Sequence, residues 1–397
     1  MALNVRHPVW VHSLGAPGAK SFALLAALDA MTRAILATVL PLQVLEVMGS
    51  PADLSKLYLV VSLLGLMGNF FIVPLTGLIS RRWTYTLGMV CLLAAAPLIA
   101  SASLEGVASG MLLRVFGTAV GAVCLNLYVL DHIRGRELND MEPLRLLFAA
   151  SAWTIGPWLG VTLWKVEPLL PFVISGIGAL SLLAYFWYLR VGDNPIIVKA
   201  RHKPANPFGS ILPYFKRPPL RRAWMIATGR SIWWVSFFVY LPVFGIQSGL
   251  SPETCALLVS AGNGLLFATP LLVRLGRRFG VRRNLVFAFL TGGAVTCAAG
   301  LSAWLDPYLT VLLLLACGPF VVLLDIYGNV PFLRQVKPSE RLPMTPVFIT
   351  YRDGSEVAAP ALAWLVLMAF PLPVYFLVMG SGLACLSLLA KTLPRRL

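Results

Sequence analysis

Eight ionisable residues stand inside long apolar stretches of this sequence: Asp29, Arg33, Arg114, Arg230, Asp325, Arg352, Asp353 and Glu356. Placing such a side chain at the centre of a bilayer costs about 2.5 to 3.5 kcal/mol on insertion scales, so each requires a partner, an aqueous cavity or a function. Four acids against four bases point to mutual pairing when nothing else is bound. Asp29 and Arg33 are four residues apart, as are Arg352 and Glu356, the spacing of bridges within a helix. Glu356 is also the candidate proton carrier, with Asp29 and Asp325 competing for that role, because a carboxyl group in low dielectric takes up a proton readily. After Arg230 come Trp233, Trp234, Phe237, Phe238 and Tyr240. An arginine beside aromatic rings suits an aromatic or amphipathic organic anion through stacking and cation–π contact. Packing against lipid or other helices is the competing account of the stripe. Asn126 and Tyr327 are weaker candidates, able to add hydrogen bonds.

The elements that position these residues follow from composition. Of 397 residues, 58% are hydrophobic and 12% are charged, against about 25% charged in soluble domains. The apolar runs have the length of membrane crossings, about 20 residues at 1.5 Å rise each. Twelve are predicted, over residues 20–44, 54–79, 83–103, 107–131, 143–165, 168–191, 220–248, 252–275, 284–304, 307–331, 344–369 and 372–392. The first follows a polar segment with Arg6, His7 and Lys20. It is longer than a signal-peptide core and no small-residue cleavage site follows it, so it is expected to be retained.

A net charge of +16 would indicate nucleic acid in a soluble protein. Placement excludes that partner. Arg33, Arg114, Arg230 and Arg352 lie inside spans, and Lys56 and Lys165 face one side of the membrane. The rest of the 32 Lys and Arg residues fall in the tails and loops of the other side or at the helix ends beside them. By the positive-inside rule that side is the cytoplasm, with both termini on it, in a multi-pass protein of the inner (plasma) membrane. The lipid bilayer is thus one partner, and the basic loops, including Arg277, Arg278, Arg282 and Arg283, are open to anionic headgroups as well as water.

The longest hydrophilic stretch, residues 192–219, is rich in proline and basic residues and reads as a cytoplasmic linker. It divides residues 1–191 from 220–397, two bundles of six helices. The halves repeat. Leu40-Pro41 and Ser50-Pro51 match Leu241-Pro242 and Ser251-Pro252 at an offset of 201, and Pro143 and Pro157 match Pro346 and Pro360 at 203. The first offset also pairs Asp29 with Arg230, at similar depth on facing halves. An ion pair between the halves, broken and remade as solute or proton binds, is one expectation; a static Asp29–Arg33 bridge is the other.

Three motifs now carry a resemblance. Between the second and third spans stands Gly77-Leu78-Ile79-Ser80-Arg81-Arg82, and after the eighth Arg277-Arg278-Phe279-Gly280-Val281-Arg282. The fourth span holds Arg114-x-x-Gly117-x-x-x-Gly121, and the fifth Gly156-Pro157-Trp158-Leu159-Gly160. The chain resembles the major facilitator superfamily (MFS) of transporters over nearly its whole length. The last motif is similar to the antiporter signature of the proton-coupled drug and metabolite exporters. The resemblance implies an all-α polytopic membrane protein with the MFS fold: 12 transmembrane helices in two pseudo-symmetric six-helix bundles with a solute site between them. It implies that Arg114 takes part in proton coupling, that Gly77, Arg82, Arg278 and Gly280 belong to cytoplasmic gate loops, and that spans 1, 4, 7 and 10 line the cavity. Both loops lack the family's acidic residue, Arg81 standing in its place in the first, so another latch must close that face.

The expected function is secondary active transport of a small organic solute by alternating access, as proton-coupled efflux, by a monomer that holds a complete pathway. Proton-coupled uptake of an organic anion or siderophore-like metal chelate is the alternative, and so is a non-transporting scaffold or receptor of the same fold. No cofactor beyond a coupling proton is called for. Six scattered cysteines and four histidines form no metal-ligand spacing, and neither a P-loop nor a nucleophile set is present, so an enzyme is not expected.

Overall fold

In lipid a free peptide N–H or C=O finds no water, so apolar runs must close their hydrogen bonds within a helix. The computed structural model describes residues 19–132, 136–189, 211–336 and 340–394. Residues 1–18, with Arg6, His7 and His12, and residues 192–210 of the expected linker lie outside the described residues.

The first half contains α1 (Ala19–Ala34), α2 (Val39–Met48), α3 (Pro51–Leu78), α4 (Arg81–Ala100), α5 (Leu104–His132), α6 (Arg136–Val166) and α7 (Leu170–Tyr188). The second contains α8 (Ile211–Lys216), α9 (Pro218–Gln247), α10 (Pro252–Gly264), α11 (Thr269–Gly276), α12 (Val281–Ser302), α13 (Pro307–Tyr327), α14 (Val330–Gln335), α15 (Arg341–Ile349), α16 (Tyr351–Leu367) and α17 (Leu372–Lys391). Among the described residues, 11 helical spans are long and apolar enough to cross a membrane. The chain is an all-helical, multi-pass membrane protein. The span expected over 344–369 is interrupted at Thr350 into α15 and α16, and α16 carries Arg352, Asp353 and Glu356. It still threads the bundle, packed on α3, α9 and α17.

The repeated Ser-Pro pairs act as helix starts. Ser50 Oγ accepts from Asp53 N at 3.1 Å and Ser251 Oγ from Thr254 N at 3.2 Å, each with proline at the first helical position. A hydroxyl there satisfies one of the orphan amides, and proline lacks a donor that would be wasted. Gly49 and Gly249, just before these caps, take left-handed φ values of +73° and +80°.

The first span breaks for a local reason. Proline at 41 has no N–H for the carbonyl four residues earlier and crowds it. The backbone between α1 and α2 tightens accordingly, with Leu36 N on Arg33 O at 3.3 Å and Ala37 N on Ala34 O at 3.0 Å. Onto this break α6 packs without side chains in between. A Cβ at Gly160 would collide with the Ile35 carbonyl, and one at Gly156 would meet Ala34 Cβ at 2.5 Å. Similarly, a Cβ at Gly117 would lie 2.6 Å from Gly88 O, so α4 and α5 touch backbone to backbone.

The halves meet where α6 packs on α10, α3 on α16 and α2 on α9. One end of the bundle carries Arg81, Arg82, Arg221, Arg222, Arg277 and Arg278 and is the basic end. At the opposite end the halves are stitched by Tyr240 Oη to Ser55 Oγ (3.0 Å) and by a Lys165–Glu253 ion pair (2.6 Å). About two turns deeper, Trp158 N donates to Ser260 Oγ (3.0 Å). The short helices α8, α14 and α15 form a satellite core at the basic end around Tyr214, Phe332 and Phe348.

Gly160→Ala is expected to lower stability by about 1–3 kcal/mol through backbone overpacking. Gly77→Ala, where a Cβ meets nothing within 4 Å, is expected to be neutral or to stabilise by up to about 1 kcal/mol. Unfolding midpoints of the two purified variants check this, and equal midpoints would refute the close approach.

Candidate functional site

Two cavities lie between the halves and share a wall. The smaller, about 270 Å³, is charged: Arg33, Arg114 and Tyr58 from the first half face Glu356 from the second, with Trp153 and Phe238 closing one side. The larger, about 610 Å³, extends from the other side of Trp153 and Phe238 toward the basic end and is mostly apolar. Its polar groups come from Trp234, Asn263, Thr269 and Asp325. Trp153 on α6 and Phe238 on α9 touch across the interface with ring centroids 5.4 Å apart, and Trp234 stacks on Phe238 at 5.8 Å. An aromatic septum built by both halves therefore divides the space.

The charges are distributed unevenly. Arg33 Nη2 bonds Asp29 Oδ2 at 2.7 Å, one turn apart on α1, and its guanidinium lies 5.9 Å from the Trp153 ring centroid. Arg114 Nη2 donates to the Arg33 carbonyl at 2.9 Å. That carbonyl sits at the C-terminal end of α1, where the helix dipole favours a cation and the break leaves acceptors underused. Arg230 is buried within the second half. Its Nη2 donates to Tyr351 Oη (2.9 Å), and its Nε approaches Asp325 Oδ1 to 3.0 Å. The Nε approach is a charge contact rather than an aligned hydrogen bond. Asp325 Oδ2 also accepts from Trp234 Nε1 at 2.9 Å. Thus Asp29 and Arg230 each pair inside their own half, and the expected bridge between the halves is not formed in this conformation.

Glu356 is placed differently. It projects into the charged cavity that Arg33 and Arg114 also line. No bridge to Arg352 is formed. Arg352 turns back, its Nε on Tyr351 Oη at 3.3 Å. Asp353 instead accepts from Asn69 Nδ2 across the halves at 3.2 Å.

Several expected residues lie elsewhere. Trp233 is 1% exposed, points into the second half's core, bonds Thr296 Oγ1 at 3.2 Å and stacks on Phe237 at 5.0 Å. Tyr327 packs against Gly276, its hydroxyl buried without a hydrogen-bond partner among the described residues. Asn126 is exposed on α5, outside the lining of both cavities. Gly156, Pro157 and Gly160 face the α1–α2 break. Gly77, Arg278 and Gly280 are exposed at the basic end, Arg82 partly so. Gly280 precedes α12 with φ +76°, and Ser80 precedes α4 with φ +68°.

Three lining or bridging residues were not anticipated. Trp153 was one aromatic among many, Tyr58 had no charge to mark it, and Asn69 was a lone amide in an apolar run. That isolation was the one available signal, since a lone amide in lipid needs a partner. Among the described residues no group of three His, Cys, Asp or Glu is placed to hold a metal ion.

The sequence model described as Major Facilitator Superfamily matches residues 22–333. No curated protein matches the chain. Among solved structures, the chain is similar to a POT family transporter in complex with 5-aminolevulinic acid, at a TM-score of 0.73 and 10% identity, covering 93% of this chain and 94% of that one. It is similar to the nucleoside transporter NupG at a TM-score of 0.73 and 14% identity, over 94% and 98% of the two chains. A bacterial homologue of the iron transporter ferroportin in its inward-facing state gives 0.71 and 14%, over 94% and 97%. At such identities the likeness is one of fold.

Removing Arg230 alone would leave the Asp325 carboxylate with much of its compensation gone. Arg230→Met is expected to cost on the order of 3 kcal/mol, and Arg230→Met with Asp325→Leu to recover most of it. Thermal unfolding of the purified variants decides the point; an unchanged midpoint in the single variant would mean that the pair holds nothing together.

Proposed function

The chain belongs to the Major Facilitator Superfamily, and from that premise we propose that it moves a small organic anion with a proton across the inner membrane by alternating access. The observation that carries this reading is the charged cavity: two arginines from one half and one carboxylate from the other line the same space. Arg33 is already matched by Asp29, so Arg114 and Glu356 set the balance. With Glu356 ionised the cavity is near neutral; with Glu356 protonated it carries a net positive charge and favours an anion. Proton and anion therefore bind together, the condition for coupled movement in one direction.

The apolar cavity beyond the septum accepts the rest of the cargo, and Trp153, Phe238 and Trp234 favour an aromatic or flat apolar group. The route toward the basic end is the cytoplasmic one if the positive-inside rule sets the orientation. The stitched opposite end then acts as the outer gate, through Tyr240–Ser55 and Lys165–Glu253. Both contacts must open when the halves rock.

A second reading is proton-driven efflux of an organic cation that competes with the proton at Glu356. Gly156, Pro157 and Gly160 favour it through their likeness to the drug and metabolite antiporter motif. Here they seat α6 on the break next to Arg33, so solute movement between the halves would be felt at this joint.

Transport into proteoliposomes under a pH gradient of either sign separates the two, since an anion taken up with a proton accumulates toward the alkaline side. Glu356→Gln is expected to retain counterflow exchange but lose accumulation driven by the gradient. Arg114→Gln is expected to reduce counterflow of an anionic substrate at least tenfold, about 1.4 kcal/mol or more of binding. Wild-type accumulation by Glu356→Gln would overturn the coupling role.

A further inference from the structure

Outside the interface, a groove of about 360 Å³ opens between α11, α12 and α13 at the basic end. Leu275, Phe279, Phe287, Phe320 and Leu323 line it, and Arg283 is the charged group in the lining. Leu275, Phe279 and Phe287 are more than half exposed, as expected of a surface turned to lipid tails rather than packed in the core. Phe287 and Phe320 meet edge to face at 5.8 Å. The neighbouring turn is held rigidly: Asn284 Nδ2 donates to Gly276 O at 2.7 Å and to Gly280 O at 3.0 Å.

Electrostatically the mouth of this groove is one-sided. Residues 269–284 contain Arg274, Arg277, Arg278, Arg282 and Arg283, and no acidic residue occurs between Glu253 and Asp306. Arg274, Arg277, Arg278 and Arg283 are exposed. Arg283 also stands in the first turn of α12, whose unpaired amides carry the positive end of the helix dipole. Since α12 has 22 residues, about 33 Å at 1.5 Å each, it spans the hydrocarbon and its first turn lies at headgroup level. A second lipid-facing groove supplies the contrast. At the opposite end, between α4 and α7, a space of about 620 Å³ is lined by Leu93, Pro97, Phe172, Ile177 and their neighbours without a charged side chain.

We propose that the α11–α13 groove is a binding site for an anionic phospholipid. One acyl chain lies along Leu275, Phe287 and Phe320, and the phosphate is held by Arg283 with the field of the flanking arginines. Charge complementarity chooses the occupant: an apolar trough ending at uncompensated arginines, at headgroup depth, matches a lipid with a negative head. The site needs only the membrane-embedded fold.

Native mass spectrometry of the full-length purified protein, titrated with phosphatidylglycerol or phosphatidylcholine, tests it. The wild type is expected to retain phosphatidylglycerol in preference to phosphatidylcholine. Arg283→Gln should weaken phosphatidylglycerol roughly fivefold, the loss of one surface arginine facing an anionic head, and leave phosphatidylcholine unchanged. Leu275→Trp, which fills the exposed trough, should weaken both lipids. Equal retention of the two lipids by the wild type would overturn the proposal, as would wild-type phosphatidylglycerol binding by both variants. Full displacement of phosphatidylglycerol by millimolar inorganic phosphate would also overturn it, by reducing the site to a headgroup contact without the groove.

Discussion

The cost of holding charge away from water governs this molecule. Every described arginine inside the bilayer has found an oxygen or a ring: Arg33 on Asp29, Arg114 on a main-chain carbonyl, Arg230 on Asp325 and Tyr351, Arg352 on Tyr351. A helix of lipid-soluble composition could not carry them otherwise. The arrangement is asymmetric, however. The second half neutralises Arg230 internally and deeply, whereas the first half keeps its two guanidiniums beside an open space.

That asymmetry gives the cavity its chemistry. Glu356 is left without a bridge because its expected partner, Arg352, turns to Tyr351. A carboxyl group in such a position changes charge at little structural cost, which an internally bridged one cannot do. The same helix is the one interrupted at Thr350, where Thr350 Oγ1 receives Trp224 Nε1 at 3.2 Å and bonds Val347 O at 2.7 Å. Interruption and charge belong together: a shorter helix with polar residues gives up lipid solubility, and packing between α3 and α9 restores it.

The broken first span also explains where glycine is indispensable. At the break Ala37 N turns to Ala34 O, Arg114 takes the Arg33 carbonyl, and Gly156 and Gly160 let α6 lie on the bared backbone. What resembles a directional signature at the level of motif is, physically, the seat of the joint on which Arg33 is carried. Movement of α6 against α1 would reach both Arg33 and the Trp153–Phe238 septum at once.

The sequence by itself determined the lipid solvent, the positions of the spans, the pseudo-repeat seen in the paired Ser-Pro caps, and the small set of charges that had to matter. Those properties depend on composition and local spacing, and lipid enforces them helix by helix. Choice of partner was decided only in three dimensions. Asp29 could reach Arg33 or Arg230 by spacing and depth, Glu356 could reach Arg352, and Trp233 and Trp234 were adjacent and equivalent. Rotation of α9 by its packing sent Trp233 into the core and Trp234 to Asp325, and it brought Phe238 against Trp153 from the other half. Such contacts join residues far apart in the chain, and their geometry is set by how helices pack, a quantity that no run of residues contains.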